Sequence, residues 1–187
     1  MDLDLDLKGS KTEANLAAAF AAEAQTCCRY TFFAERAEQE GYKQVAATFR
    51  TLAAIEKEHA RLWFRIINYG DVPTTERNLL SASECERFEH ASLYSRFADA
   101  AKEEGFARIS NLMSEMARIE QAHESVLRQM HTDIVSGMMF CTENESPWRC
   151  MACDHSLTAS AAPEVCPVCG AAQSTFEKQL AANISSE

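Results

Sequence analysis

The sequence predicts a mainly α-helical protein: a four-helix bundle with a long crossover, followed by a small C-terminal four-cysteine metal domain. Of its 187 residues only 6 are Gly and 4 are Pro, whereas average usage would give about 22 in total. A β-sandwich or barrel needs a turn about every 8–12 residues, so an all-β fold is excluded. The glycines at 41, 70, 105 and 137 stand at helix-length intervals, and residues 148–187 hold two C-x-x-C pairs.

Apolar residues at helical spacing predict each helix in turn. The first two predicted helices end at a glycine, which is a common helix stop. Residues 71–79 lack this periodicity and are expected to form the crossover loop. Ser81-x-x-Glu84 has the form of a capping box and predicts that the third helix starts there. The predicted helices span residues 12–40, 42–69, 81–104 and 106–135.

Composition changes sharply near the end of the fourth helix. Residues 148–179 contain four of the eight Cys and two of the four Pro. The predicted domains are therefore a helical domain of residues 1–137, a linker of residues 138–147 and a cysteine-rich domain of residues 148–187.

Charge and hydropathy exclude several classes of partner. The net charge is −10 without a Lys/Arg patch, which argues against nucleic acid. No run of about 18 apolar residues exists, so no membrane span is expected. The acidic N-terminus MDLDLDLKGSK lacks the apolar core of a secretory signal, so a cytoplasmic location is expected. Eight Cys without such a signal favour metal or redox chemistry over structural disulfides.

An internal repeat relates the first two helices to the last two. With a shift of 64 residues, Glu56 and His59 align with Glu120 and His123. Each E-x-x-H places its Glu and His on one helix face, where both can bind one metal centre. One such motif is weak evidence, but two at equivalent positions of a repeat are much stronger. The alternative is a set of surface salt bridges that happens to repeat.

The repeat slips by one residue in the third helix. Glu23 lies 10 residues before Phe33, whereas Glu86 lies 11 before Phe97. If Glu23 and Glu86 are equivalent, the third helix carries an extra residue, and such insertions form π-bulges, often at functional sites. The alternative is that the repeat has decayed and Glu86 is an ordinary surface residue.

The acidic residues match a known pattern for two-metal sites in helical bundles. That pattern requires two E-x-x-H helices and one Glu from each of the other two helices. Glu23 and Glu86 supply those two, and Glu89 adds a carboxylate one turn after Glu86. Five carboxylates and two imidazoles favour iron or manganese over zinc.

The four cysteines of the C-terminal segment form a strong metal-binding signal. Cys150-x-x-Cys153 and Cys166-x-x-Cys169 can each wrap two thiolates around one metal, and together they complete a tetrahedral site for iron or zinc. Their spacing alone does not separate a structural zinc site from a redox iron centre.

Four helix motifs, FAAEAQTCCRYTFFA, IEKEHA, ECERFEHASLYSRFA and IEQAHE, resemble those of the rubrerythrin family. The resemblance covers nearly the whole chain after residue 12 and implies a ferritin-like bundle. WRCMAC, CPVCG and Phe176 are similar to rubredoxin, which favours iron at the four cysteines and keeps zinc as the alternative. Asp154 stands where a Gly is usual; because Asp tolerates the left-handed region, the knuckle is expected to survive.

The resemblance also implies roles for individual residues. Tyr30 and Tyr94 match tyrosines that lie beside the metal ligands, with ordinary core packing as the alternative. Cys27, Cys28 and Cys85 are outside the family motif and are expected to be inert thiols, with oxidation of Cys27 by peroxide as the alternative. The implied ligands are bridging Glu56 and Glu120, Glu23 and Glu89 on one iron, Glu86 and His123 on the other, and His59, which replaces Glu89 on reduction.

The function that this resemblance implies is that of an oxidoreductase, a non-haem di-iron peroxidase in oxidative stress defence. It would reduce hydrogen peroxide to water with electrons passed through the four-cysteine iron from an unidentified reductase. The expected assembly is a head-to-tail homodimer, with helix swapping between chains left open. One alternative is a ferroxidase that handles iron, and another is an interaction protein with a zinc ribbon.

Overall fold

The computed structural model describes residues 7–179 and divides the chain into two compact units, residues 1–74 and 75–187. Within the described part the chain is mainly helical, with a small C-terminal sheet, so the predicted fold class is confirmed. Residues 1–6, which belong to the acidic N-terminus considered above, and residues 180–187 lie outside the described range. No helix between residues 7 and 179 is both long and apolar enough to cross a membrane.

The first unit is a helical hairpin of α1 (Lys11–Gln39) and α2 (Lys43–Ile67). Ser10 caps α1, because its Oγ accepts a hydrogen bond from the N–H of Glu13 at 3.0 Å. Gly41 has a φ of +84° between the helices, a conformation that side chains with a Cβ rarely adopt. Small residues let the helices approach closely, and their buried set is Ala34, Ala37, Ala46, Ala53 and Ala60.

The second unit begins with a helical segment that contains a π turn. The order is α3 (Thr75–Phe88), the π turn (Glu89–Leu93), α4 (Tyr94–Glu103) and α5 (Ala107–Val135). The extra residue expected from the slip in the repeat is therefore confirmed as a π turn that starts at Glu89.

The predicted start of the third helix is wrong. Residues 75–79, expected in the crossover, are helical, and Ser81 lies inside α3. Pro73 just before the helix and Glu76 in its first turn are the actual start signals, since proline and an acidic first turn both favour a helix N-terminus. The Ser81-x-x-Glu84 pattern is thus a mid-helix coincidence.

A three-stranded antiparallel sheet follows α5, with the strand order β2-β1-β3. The strands are β1 (Cys141–Cys150), β2 (Ser156–Ala161) and β3 (Phe176–Lys178). Residues 141–147, which the sequence predicts as linker, therefore form the first part of β1. Trp148 is fully buried and its Nε1 donates to the carbonyl of Ala159 at 3.0 Å. The predicted domain boundaries at 137 and 147 stay predictions.

Candidate metal centres

The four cysteines of the second unit converge on one point. Cys150 ends β1 and Cys153 lies in the turn that follows it, while Cys166 and Cys169 lie at a second turn. Their sulfur atoms all lie within 4.8 Å of one another. The Cys150–Cys169 and Cys153–Cys166 pairs are 3.8 and 3.7 Å apart. A tetrahedral site with metal–sulfur bonds of about 2.3 Å needs sulfur atoms about 3.8 Å apart, so this arrangement fits iron or zinc without rearrangement.

Backbone amides prepare two of these thiols for metal binding. Burial alone would raise the pKa of Cys150, but the N–H groups of Ala152 and Cys153 point at its sulfur and help to lower that pKa to about 6. The N–H of Cys169 has the same effect on Cys166 and lowers its pKa. Because the thiolate is the metal ligand, these amides favour the metal-binding form of Cys150 and Cys166. The N–H of His155 acts in the same direction on Cys153, but burial and the neighbouring cysteines raise the pKa of that thiol to about 12.

Asp154 adopts the left-handed conformation that was expected of it, with a φ of +63°. Its N–H donates to the carbonyl of Cys150 at 2.8 Å, which closes the first turn. Its Oδ1 accepts from Nη1 of Arg149 at 3.0 Å, and Nε of Arg149 donates to Oε1 of Glu177 at 2.8 Å on β3. The first cysteine turn therefore survives without glycine, and sequence reasoning missed this ion-pair network.

A carboxylate–histidine triad lies on the hairpin of the first unit. Glu23 of α1 and Glu56 and His59 of α2 bring their ligand atoms within 4.8 Å of one another. Nδ1 of His59 is 3.0 Å from Oε2 of Glu56, as the i,i+3 spacing predicts. Glu23 and Glu56 are half-buried while His59 is exposed. Three converging ligands of this kind fit iron or manganese.

The second unit carries the equivalent triad of Glu86, Glu120 and His123, again within 4.8 Å. Nδ1 of His123 lies 2.6 Å from Oε2 of Glu120 and 3.9 Å from Oε2 of Glu86. Burial raises the pKa of Glu86, and the neighbouring Glu120 carboxylate raises it further. Two carboxylates held this close repel each other, and a cation between them would relieve that repulsion.

Glu89, the remaining acidic ligand expected from the sequence, lies in neither triad among the described residues. It opens the π turn, and its carbonyl accepts the N–H of Tyr94. Its Oε1 lies 3.6 Å from Sγ of Cys85, one turn earlier on α3. Burial raises the pKa of the Cys85 thiol, and the Glu89 carboxylate raises it further. Cys85 is therefore a protonated donor to Glu89, a contact that the family motif does not include.

The two tyrosines are half-buried. The ring of Tyr30 packs against Phe49 at a centroid distance of 5.6 Å and against Phe33 at 6.3 Å. Tyr94 is the first residue of α4, directly after the π turn. Ordinary packing thus accounts for the ring of Tyr30, and the roles expected for both residues beside the metal stay predictions.

Sequence reasoning missed a polar pair beside the second triad. Nε2 of His90 lies 2.6 Å from Oε2 of Glu124, and Nε of Arg128 donates to Oε1 of Glu124 at 2.6 Å. The side chains of His90 and Glu124 are only 17% and 14% exposed. The hydrogen bond with His90 and the one from Arg128 lower the pKa of Glu124. His90 directly follows Glu89 and Glu124 directly follows His123. This adjacency to predicted ligands is the signal in the sequence that could have identified the pair.

Comparisons with known proteins find similarity along nearly the whole chain. A family model described as rubrerythrin matches residues 14–87 and 77–148, and one described as the rubredoxin-like domain of rubrerythrin matches residues 148–177. A rubrerythrin of Porphyromonas gingivalis is 36% identical, with 94% of each chain covered. A rubrerythrin of Nitratidesulfovibrio vulgaris is 33% identical, covering 91% of this chain and 95% of that one. A solved nigerythrin structure is 26% identical, covers 96% of this chain and 92% of that chain, and has a TM-score of 0.34.

Proposed function

Because the chain belongs to the rubrerythrin family, we propose that it reduces hydrogen peroxide to water at a di-iron centre. Family membership makes it an iron-dependent oxidoreductase with a rubredoxin-like four-cysteine iron site. The observation that carries the proposal is the pairing of two equivalent carboxylate–histidine triads with a four-sulfur site in one chain. Iron suits both ligand sets, whereas zinc alone supplies no electrons.

The proposed ligands of the di-iron centre are those of the two triads together with Glu89. When bound, the two ferrous ions supply the two electrons that convert one hydrogen peroxide and two protons into two waters. The family resemblance implies that Glu56 and Glu120, the acids of the two E-x-x-H motifs, would bridge the ions. Glu23 would be a terminal ligand of one ion and Glu86 of the other. His59 would take the place of Glu89 on reduction.

The protons have a candidate carrier in this chain. Oε1 of Glu89 is held 3.6 Å from the Cys85 thiol. A carboxyl group so placed can deliver a proton to the departing oxygen and be protonated again, as general acids do. Tyr30 and Tyr94 are proposed to orient the ligands and the peroxide by their hydroxyl groups.

The four-cysteine site would return electrons one at a time. A one-electron iron–thiolate centre beside two-electron chemistry explains why both ligand sets occur in one chain. The donor to the four-cysteine site would be a separate reductase.

The active assembly is proposed to be a head-to-tail homodimer. Large apolar side chains remain exposed, and such surfaces often mark interfaces. The test is the mass in solution at micromolar concentration: a dimer supports the proposal and a monomer that retains full activity contradicts it. The exposed set includes Phe33, Ile55, Leu62, Phe97, Leu112, Ile119 and Val126.

The activity is tested with Glu89→Ala and Glu89→Gln in iron-loaded protein, with Glu84→Ala on α3 as the matched control. Peroxide consumption under reducing conditions should fall by about 100-fold or more in both Glu89 variants, because loss of a general acid costs about that much. Iron per chain is measured on the same samples to separate lost binding from lost proton transfer. Full turnover in the Glu89 variants would contradict the role of Glu89. Iron(II) oxidation by O2 without peroxide reduction in the wild type would favour the ferroxidase alternative.

A further inference from the structure

The π turn places Glu89 at a junction between two helical segments. A π turn holds one more residue than an α turn, so side chains before and after it point in directions that an uninterrupted helix would not give. Such turns are rare and persist where surrounding contacts hold them. Tyr94 N–H bonds to the carbonyl of Glu89, and Ser95 Oγ donates to the carbonyl of His90 at 3.0 Å. These contacts are local to the helix and do not fix it against α5.

The contact that does reach α5 is made by His90. Its Nε2 lies 2.6 Å from Oε2 of Glu124, across 34 residues of sequence. The second oxygen of that carboxylate accepts from Arg128 at 2.6 Å, one turn later on α5. Each carboxylate oxygen therefore has one partner, and of these two partners only His90 lies outside α5. Both side chains of the His90–Glu124 pair are more than four-fifths buried, which makes the loss of one partner costly.

On each of the two helices, the His90–Glu124 pair lies next to a predicted metal ligand. His90 follows Glu89, and Glu124 follows His123. The hydrogen bond thus ties the backbone beside Glu89 to the backbone beside a member of the second triad. A lengthening of this bond would move Glu89 relative to His123 without breaking either helix.

We propose that His90 and Glu124 are positioning residues whose hydrogen bond holds the π turn against α5 and so sets where the Glu89 carboxylate lies relative to the Glu86–Glu120–His123 triad. The role of Glu89 as an iron ligand rests on the proposed function; the mechanical role of the pair does not. Cys85 contributes as well, because its thiol contacts the same Glu89 carboxylate from α3. Glu89 would then be held by α3 through Cys85 and by α5 through the backbone next to it.

The test compares His90→Phe, His90→Gln and Arg128→Gln in full-length, iron-loaded protein. Phenylalanine keeps an aromatic ring at position 90 but has no hydrogen-bond donor. The glutamine amide can donate to Glu124 in place of Nε2. Arg128→Gln is the matched control, since it removes the other partner of Glu124 while leaving the link between the helices intact. Two readouts are used: amide hydrogen exchange of peptides that cover residues 86–95, and the Mössbauer spectrum of the carboxylate-bound iron.

In His90→Phe, exchange across residues 86–95 should be about tenfold faster, because a charge-assisted hydrogen bond is lost. The Mössbauer splitting of the carboxylate-bound iron should change, while the signal of the four-cysteine iron in the same sample stays as in the wild type. In His90→Gln, both the exchange rate and the Mössbauer splitting should stay close to the wild-type values. Arg128→Gln should change neither readout by more than about twofold.

Unchanged exchange in His90→Phe would overturn the proposal, and so would an unchanged Mössbauer signal of iron that is bound. An Arg128→Gln effect as large as that of His90→Phe would also overturn it, since the link between helices would then not be the cause. If the wild type consumes no peroxide but the variants differ as described, the proposed function fails while the positioning role is supported.

Discussion

The crowded carboxylates of the second triad give a sharp prediction for Glu86→Gln. The ligand oxygens of Glu86 and Glu120 lie within 4.8 Å of each other, and their side chains are only 25% and 13% exposed. Two unit charges at that distance repel by about 0.9 kcal/mol at a dielectric constant of about 80 and by about 3.5 kcal/mol at about 20. Partial exposure places the expected value at about 1–2 kcal/mol. A Gln at position 86 removes this repulsion and supplies an amide N–H donor toward Glu120.

Metal-free Glu86→Gln protein should therefore be more stable than the wild type at pH 7, with the melting temperature raised by about 2–6 °C. Because the pKa of Glu86 is raised in the folded state, the folded protein binds the proton more tightly than the unfolded chain. Wild-type stability thus rises as the pH falls from the raised pKa toward the ordinary value. The advantage of the variant should shrink over that range.

The assay is thermal unfolding followed by far-ultraviolet circular dichroism between pH 4 and pH 8, after iron removal with a chelator under reducing conditions. Glu84→Gln on the same helix removes a charge outside the triad and is the matched control. An unchanged or lower melting temperature in Glu86→Gln at pH 7 would refute the reasoning, and so would an equal gain in the control. The same substitution should weaken iron binding, which separates stability from function at one residue.

Three further predictions concern the turns and the cysteine domain. Gly41→Ala and Gly105→Ala should each destabilise the fold by about 1–2 kcal/mol in thermal unfolding. Both glycines have a positive φ, and an added Cβ would meet no atom within 4 Å, so the cost is backbone strain alone. Unequal losses of stability in the two variants would contradict the equivalence of the two turns in the repeat. Removing the metal from the four cysteines should expose Arg149 to rapid tryptic cleavage, because the small core around Trp148 cannot hold the sheet alone. Trp148→Phe should cost about 1–3 kcal/mol in denaturant unfolding, because it removes the hydrogen bond from Nε1 to the Ala159 carbonyl and part of a fully buried ring.

Periodic and motif signals predicted much of this structure. Glycine spacing gave the hairpin turns, and the i,i+3 motifs gave the His59–Glu56 and His123–Glu120 contacts. The slip of one residue in the repeat predicted the π turn, because an insertion between two otherwise aligned helices has to be accommodated within the helix.

Features that depend on tertiary contacts were not predictable in the same way. The His90–Glu124 pair joins residues 34 positions apart, and the π turn sets which side of the helix His90 occupies. β1 begins inside the predicted linker because pairing with β2 stabilises a segment whose polar residues give no clear alternation. Helix α3 starts at Thr75, before the capping pattern at Ser81. A capping box marks a position where a helix can start, and it does not exclude an earlier start.

Peroxide stoichiometry tests the central claim most directly. Full-length, iron-loaded protein is reduced without oxygen and titrated with hydrogen peroxide, while the ferric–thiolate absorption of the four-cysteine site is followed. We expect about 1.5 peroxide molecules consumed per chain, since three ferrous ions give three electrons and each peroxide takes two, with full return of the thiolate absorption. Consumption of about 0.5 per chain, the amount that one iron accounts for, would contradict peroxide reduction at a di-iron centre.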